Sequence, residues 1–205
     1  MQLTTLSTLA ATAAATALVG FAAGRAALPT AQEAAQEDPT MQAWIEAGTP
    51  GAPHRLLDPF VGNWTAAVEM WMAPGGEPLL STGSMTSQWV LDGRFLEQRY
   101  TGDFGGMTFQ GRGYWGYSNL ERTYQGIWID SGSTGVAYQA GYAEAEGQRF
   151  VMLGREIDPV TEAEVGVRNE IAIEGPDKHT YTRFVEVTGQ ESHMAMRITY
   201  TRAPQ

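Results

Sequence analysis

Leu57-Asp58-Pro59-Phe60-Val61-Gly62-Asn63-Trp64-Thr65-Ala66-Ala67-Val68-Glu69-Met70-Trp71-Met72 decides the fold of this chain. Asp58-Pro59 stops whatever helix precedes it, because the residue before a proline is pushed out of the helical region. From Gly62 onward the side chains alternate. With Trp64 pointing inward, Ala66, Val68, Met70 and Met72 follow it, while Thr65, Ala67 and Glu69 face out. So long an alternation, opened by a large rigid ring, suits one wall of a β-barrel with Trp64 closing its floor.

The rest of the chain extends this reading. Segments rich in Val, Ile, Thr, Tyr, Phe and Trp recur at hairpin spacing, separated by turn residues. Ten can be drawn: Gly62 to Met72, Leu79 to Val90, Phe95 to Phe104, Met107 to Tyr117, Thr123 to Asp130, Val136 to Ala143, Arg149 to Ile157, Val165 to Ile173, Lys178 to Val187 and Ser192 to Arg202. Asp92-Gly93, Gly105-Gly106, Ser118-Asn119, Glu146-Gly147 and Pro176-Asp177 are among the connectors, all of them short. Short connectors suit antiparallel neighbours and exclude helical crossovers, so the expected fold is all-β, an antiparallel up-and-down barrel of about ten strands. Closure removes the exposed edges; a two-sheet sandwich is the alternative. Gly111, Gly113, Gly116 and Gly126 fall inside strands, where curvature or close backbone approach explains them.

Before the barrel the chain changes character twice. Residues 1–24 carry no charged side chain and contain the apolar, Ala-rich run Leu9 to Ala23, the pattern of a signal peptide or an N-terminal anchor. Residues 25–39 read as a flexible linker, with Pro29 and the Ala/Gln/Glu-rich stretch Ala31 to Glu37. Residues 40–205 form the single domain. Within it Met41, Trp44 and Ile45 stand at i, i+3 and i+4 ahead of Gly48, which predicts a short amphipathic helix packing on the barrel as a lid or plug. A further helical turn is expected at Pro53 to Leu57. The expected location is therefore exported: periplasmic, or held at the cell envelope if the leader stays on. The membrane would be touched only through that segment.

Charge and cysteine content narrow the function classes. Against 13 Lys and Arg the chain carries 23 Asp and Glu, a formal net charge of −10, which phosphate backbones repel; no nucleic-acid partner is expected. With no cysteine there is neither a disulfide, a lipid-modified Cys nor a thiol nucleophile.

The wider set of motifs carries a resemblance. Phe60-Val61-Gly62-Asn63-Trp64 is similar to the Gly-x-Trp entry of lipocalins and fatty-acid-binding proteins. That element, with Trp89 to Leu96, Tyr100, Gly116-Tyr117, Trp128-Ile129-Asp130 and Thr134, resembles the bacterial domain of unknown function number 1579. The resemblance covers Met41 to about Arg202. It implies a lipocalin-like barrel in often exported proteins, and no established activity. Lipocalins commonly pack a C-terminal Arg over the entry Trp, so the resemblance marks Gly62, Trp64 and either Arg197 or Arg202 as a structural clasp.

No motif for catalysis emerges. Gly-x-Ser-x-Gly, His-Glu-x-x-His, a P-loop and a dinucleotide-binding glycine pattern are all absent from the sequence. Ser131 to Gly135 reads as a turn rather than a nucleophile loop. His54, His179 and His193 are the only candidate haem or metal ligands; an exposed or capping role is the expectation for each, and antiparallel pairing would put His179 and His193 at opposite ends of a hairpin. No metal site, catalytic residue or cofactor is assigned. The candidates for lining a cavity are Trp89, Phe109, Trp115, Tyr117, Trp128 and Tyr138, together with Glu97, Arg99 and Tyr100 of one strand, where either face turns polar groups inward. They point to non-catalytic binding of a small hydrophobic or amphipathic ligand. The alternatives are an envelope interaction scaffold contacting partners through Trp44, Trp71 and the rim loops, and an enzyme using a mid-strand Glu97 or Arg99.

Overall fold

The computed structural model describes residues 38–204. The leader at 1–24 and all but the end of the linker lie outside the described residues. Helix α1, Pro39–Gly48, starts at an Asp38 cap whose side chain accepts from the Thr40 amide. A single helical turn, α2, covers Ala52–Arg55, and a 3-10 turn follows at Asp58–Phe60. Ten strands come next: β1 Gly62–Met70, β2 Leu79–Val90, β3 Phe95–Phe104, β4 Met107–Ser118, β5 Thr123–Asp130, β6 Ala137–Glu144, β7 Arg149–Ile157, β8 Glu164–Gly175, β9 Lys178–Glu186 and β10 His193–Arg202. Each pairs antiparallel with the next, and β1 pairs with β10, giving a closed ten-stranded barrel rather than the alternative sandwich.

Turn chemistry sets the hairpins. Gly105 and Gly106, which join β3 to β4, have φ of 59° and 84°, the positive values that a type I′ two-residue turn demands at both positions. Register from Trp64↔Arg202 to Met70↔Met196 seals β1 against β10 and confirms the inward set Trp64, Ala66, Val68 and Met70. Met72 lies beyond the strand and is exposed.

The two ends of the barrel differ. At the end where β1 starts, Leu57 and Phe60 from the entry segment plug the opening and pack on Leu96, Trp115, Tyr124, Phe150 and Met152. Trp64, 1 % exposed, donates from Nε1 to the Phe60 carbonyl at 2.9 Å. Arg202 lies over the indole, its guanidinium carbon 4.2 Å from the ring centroid, and donates to the carbonyls of Val61 and Pro176 and to Asp177. Gly62 makes room for this clasp: its φ is +135°, and a β-carbon there would collide with the Arg202 guanidinium. Arg197 takes no part. Register sets it opposite Glu69 on the outer face, 3.8 Å away, because it is an odd number of residues from Arg202.

Helix α1 departs from its expected role as a lid or plug. None of its residues is buried, and Trp44 is 71 % exposed. Its C-terminal carbonyls are held by the Asn119 side-chain amide in the β4–β5 turn, which places the helix beside the floor. The plug is the α2 and 3-10 segment that follows it. Among the described residues no helix is long and apolar enough to cross a membrane.

Candidate functional site

Above the floor the barrel is hollow. A cavity of about 920 Å³ reaches from Phe60, Trp115 and His179 to the far rim, where the β5–β6 loop and the ends of β3 and β7 border its mouth. That volume is in the range of sites that hold a single small molecule.

One wall, built by β2 to β5, is aromatic. Tyr100 and Phe109 meet edge to face at 6.0 Å, and Trp128 lies beside them. These rings occupy little of the interior because glycines lie beneath them. A β-carbon at Gly111 would overlap the Trp128 ring, one at Gly113 would come within 2.8 Å of it, and one at Gly83 or Gly102 would strike Tyr100. The strand glycines therefore do make a close approach possible, but the approach is by a side-chain ring laid flat on the wall. The Trp128 indole is fixed by its own strand: Nε1 donates to Asp130 at 2.9 Å, and the same carboxylate accepts from the Gly132 amide at 2.8 Å.

The opposite wall, β6 to β9, is polar and hydrogen-bonded. Asn169 donates to Gln139 at 2.6 Å and accepts from the Tyr181 hydroxyl at 2.8 Å. Towards the mouth Arg183 spans both oxygens of Glu156, at 3.0 and 2.5 Å. Burial pushes the Tyr100, Tyr181 and Tyr200 hydroxyls upward, so all three stay neutral donors and acceptors.

At the deep end stands His179, which is buried rather than exposed or capping. It stacks on Tyr200 at 4.6 Å and meets Trp64 and Phe60 edge-on at 4.4 and 5.1 Å. Desolvation first, then the nearby Arg202 charge, lowers its pKa to about 3, although Glu174 opposes the shift. Its Nδ1 and the Nε1 of Trp115 are buried without a hydrogen-bond partner among the described residues, and both side chains border the cavity. His54 is buried as well, but it caps: Nδ1 accepts from the Gly51 amide at 3.0 Å. Among the described residues no group of three metal-ligating side chains comes together.

The structure divides the nine cavity candidates into three groups. Tyr100, Phe109, Trp115 and Trp128 come together on the cavity wall. Trp89 and Tyr117 point inward but pack in the filled floor; Trp89 donates to Asp58 at 2.9 Å and Tyr117 packs on Tyr124 and His54. Glu97, Arg99 and Tyr138 are corrected to the outer face. Tyr138 borders the cavity only where its strand does, since it pairs with Ile127 and Ile127 with Tyr114 in an outward row, and it is 53 % exposed. Glu97 is nevertheless only 6 % exposed, because Arg99, Tyr114 and Gln88 close around it on the outside; the bond from Arg99 chiefly holds its carboxyl below the usual range. A carboxylate turned outward and covered in this way, paired with an exposed Arg99, leaves none in the cavity at that position. The polar wall of Gln139, Glu156, Asn169, Tyr181 and Arg183 was not among the candidates. Its signal is a lone polar residue among apolar inward neighbours on each of β6, β7 and β8, Gln139, Glu156 and Asn169, beside Tyr181 and Arg183 on β9, legible once strand phase is known.

No curated protein matches the chain. Among solved structures, Rv2717c from M. tuberculosis has the same fold, with a TM-score of 0.55 at 17 % identity over 74 % of this chain and 98 % of its own. The S-type phycobiliprotein lyase CPES from Guillardia theta is similar at a TM-score of 0.47 and 13 % identity, over 78 % of this chain and 96 % of its own. The family model described as "Protein of unknown function (DUF1579)" matches residues 49–202, from the turn before α2 to the last residue of β10. With floor, clasp and all ten strands inside that match, the chain belongs to the DUF1579 family.

Proposed function

We propose that this protein is an exported or membrane-tethered barrel that binds a small hydrophobic or amphipathic molecule without converting it. The observation that carries the reading is the cavity of about 920 Å³, open at the end away from the floor and walled by Tyr100, Phe109 and Trp128 on one side. A binding role fits the state of the inward polar groups. Glu156 is engaged by Arg183, Asp130 by the Trp128 indole, and His179 is enclosed by rings and held neutral, so no nucleophile stands beside a base. Export rests on the uncharged, apolar leader. The chain reaches the barrel through α1 at the floor, so a tether would leave the mouth clear.

Native mass spectrometry of the protein purified from its own cell envelope tests this. A bound small molecule, released when Trp128→Ala is purified in the same way, is the expected result. A clean apo mass, together with no binding of the neutral fluorophore 1-aminoanthracene, would sink the reading. That outcome would favour the scaffold alternative, for which one observation speaks: Tyr114, Ile127 and Tyr138 form an outward row, each more than a third exposed, across three neighbouring strands.

A further inference from the structure

The cavity's charges say which amphiphile it would take. Two arginines border it. Arg155 is turned outward by register and paired with Glu164 at 2.6 Å. Arg183 is turned inward, but both arms of its guanidinium are held by Glu156. The other inward charge is Asp130, already accepting from the Trp128 indole and the Gly132 amide; Asp103 borders the mouth but is turned outward by register and accepts from the Gly106 amide. The charges facing the cavity thus comprise one neutralised ion pair and one carboxylate. An entering carboxylate would lose its hydration, meet no inward cation whose charge is not already matched by an acid, and stand near Glu156 and Asp130.

Neutral polar groups are provided for throughout the depth of the cavity. The side-chain amides of Asn169 and Gln139 and the Tyr181 hydroxyl, all able both to donate and to accept, line one wall. At the bottom the indole N–H of Trp115 and the Nδ1 of a neutral His179 have no partner among the described residues. Across from them the rings of Trp128 and Tyr100 lie flat over glycines and offer a face to a planar group.

We propose, building on the binding function above, that the cavity selects uncharged amphiphiles with a flat ring and a hydrogen-bonding edge, and rejects the carboxylates of the same shape. The ring lies on the Trp128 wall and the polar edge faces Asn169 and Gln139. The pairing of Arg183 by Glu156 is what withholds a carboxylate site.

Isothermal titration calorimetry of the full-length chain at pH 7.5 with 2-naphthamide and with 2-naphthoate, two probes of one shape, tests the selection. The amide is expected to bind at least about tenfold tighter than the carboxylate, and Glu156→Gln, by freeing Arg183, to raise naphthoate affinity by about tenfold. A near-ultraviolet circular dichroism spectrum of Glu156→Gln that matches the native chain shows that the barrel is intact in the variant. Naphthoate binding the native chain as tightly as the amide would overturn the selection and leave cavity binding standing. No gain for naphthoate in a variant with the native spectrum would overturn the part given to the Arg183 pair. If neither probe binds the native chain, the binding function itself fails, and this inference with it.

Discussion

The floor and the mouth of this barrel are made by the same ten strands with the same alternation, yet one half is packed solid and the other is hollow. The inward positions near the floor carry Trp64, Leu96, Trp115, Tyr124 and Phe150, with Leu57 and Phe60 wedged between them from outside the sheet. Towards the mouth the inward positions carry Ser81, Gly83, Gly102, Gly111, Gly113, Ala137 and Gly154, and the few rings present lie against the glycines. Alternation fixes which side chains enter a barrel. Their summed volume decides whether anything else can. This division predicts that substitutions in the floor will act on stability and substitutions in the mouth half on binding.

Trp64→Ala is expected to have the largest effect. It removes the ring that seals the floor, the partner of Arg202 and the edge against which His179 packs, and should cost about 3 to 5 kcal/mol. Urea unfolding at pH 7.5 measures it. A loss below about 1 kcal/mol, the ordinary range for a site away from any core, would break the division.

Gly111→Ala tests the other half. The added methyl overlaps the Trp128 ring, which has to swing into the cavity or distort β4. Overpacking of this kind costs about 1 to 3 kcal/mol, but the effect on binding should be greater: 1-aminoanthracene affinity should fall more than about tenfold. If Gly111→Ala left affinity unchanged, the flat ring would not be what keeps the cavity open.

Acid should weaken the floor through His179. Its folded pKa of about 3 lies below the ordinary value of 6.5, so the native state binds fewer protons than the unfolded chain between those limits. The stability is complete above pH 6.5 and is lost as pH falls towards 3, by up to about 1.4 kcal/mol per pH unit. Between pH 6.5 and 5 that is about 2 kcal/mol, in a window above the range where carboxylates titrate. His54, lowered by burial as well, contributes in the same direction. His179→Phe should flatten most of the slope of urea-unfolding free energy against pH over this window. An unchanged slope would mean that His179 titrates freely in the native state.

Much of the floor could be read in the sequence and little of the cavity, for a physical reason. Gly62-Asn63-Trp64 and the turn pairs Asp92-Gly93 and Gly105-Gly106 are local signals: each needs only its neighbours to be understood. The phase of β3 is not local. Leu96, Glu97, Gln98, Arg99 and Tyr100 put an apolar or a polar mixture on either face, and only pairing with Met85 on β2 and Gly111 on β4 turns Tyr100 in and Glu97 out. Tyr138 was misplaced for the same reason. His179 reads as exposed or capping because it stands near the start of its strand. The start of β9, however, lies at the filled end, where Phe60 comes down from an earlier part of the chain to cover it. The function of Gly111 and Gly113 was equally hidden, since the ring that needs them is on β5.

The smallest expected effect separates two arginines that the sequence left equivalent. Arg202 and Arg197 stand on the same strand at odd spacing, so the pleat sends them to opposite faces. Arg202 lies 4.2 Å over the Trp64 ring and bridges the carbonyls of Val61 and Pro176, joining the entry of the first strand to the turn before the ninth. Arg197 reaches Glu69 at 3.8 Å across the outer surface, a pair that water screens. Arg202→Met keeps the length of the side chain and some packing on the indole but removes the charge and the bridging donors, and should cost about 0.5 to 2 kcal/mol. Arg197→Met should stay within about 0.5 kcal/mol. Neither should alter 1-aminoanthracene affinity, because Arg202 lies at the floor and Arg197 on the outer face of the barrel. Equal losses for the two, measured by urea unfolding of the paired variants, would mean that the clasp over Trp64 adds nothing to the seal of the floor, which would then depend on Trp64, Phe60 and Leu57 alone.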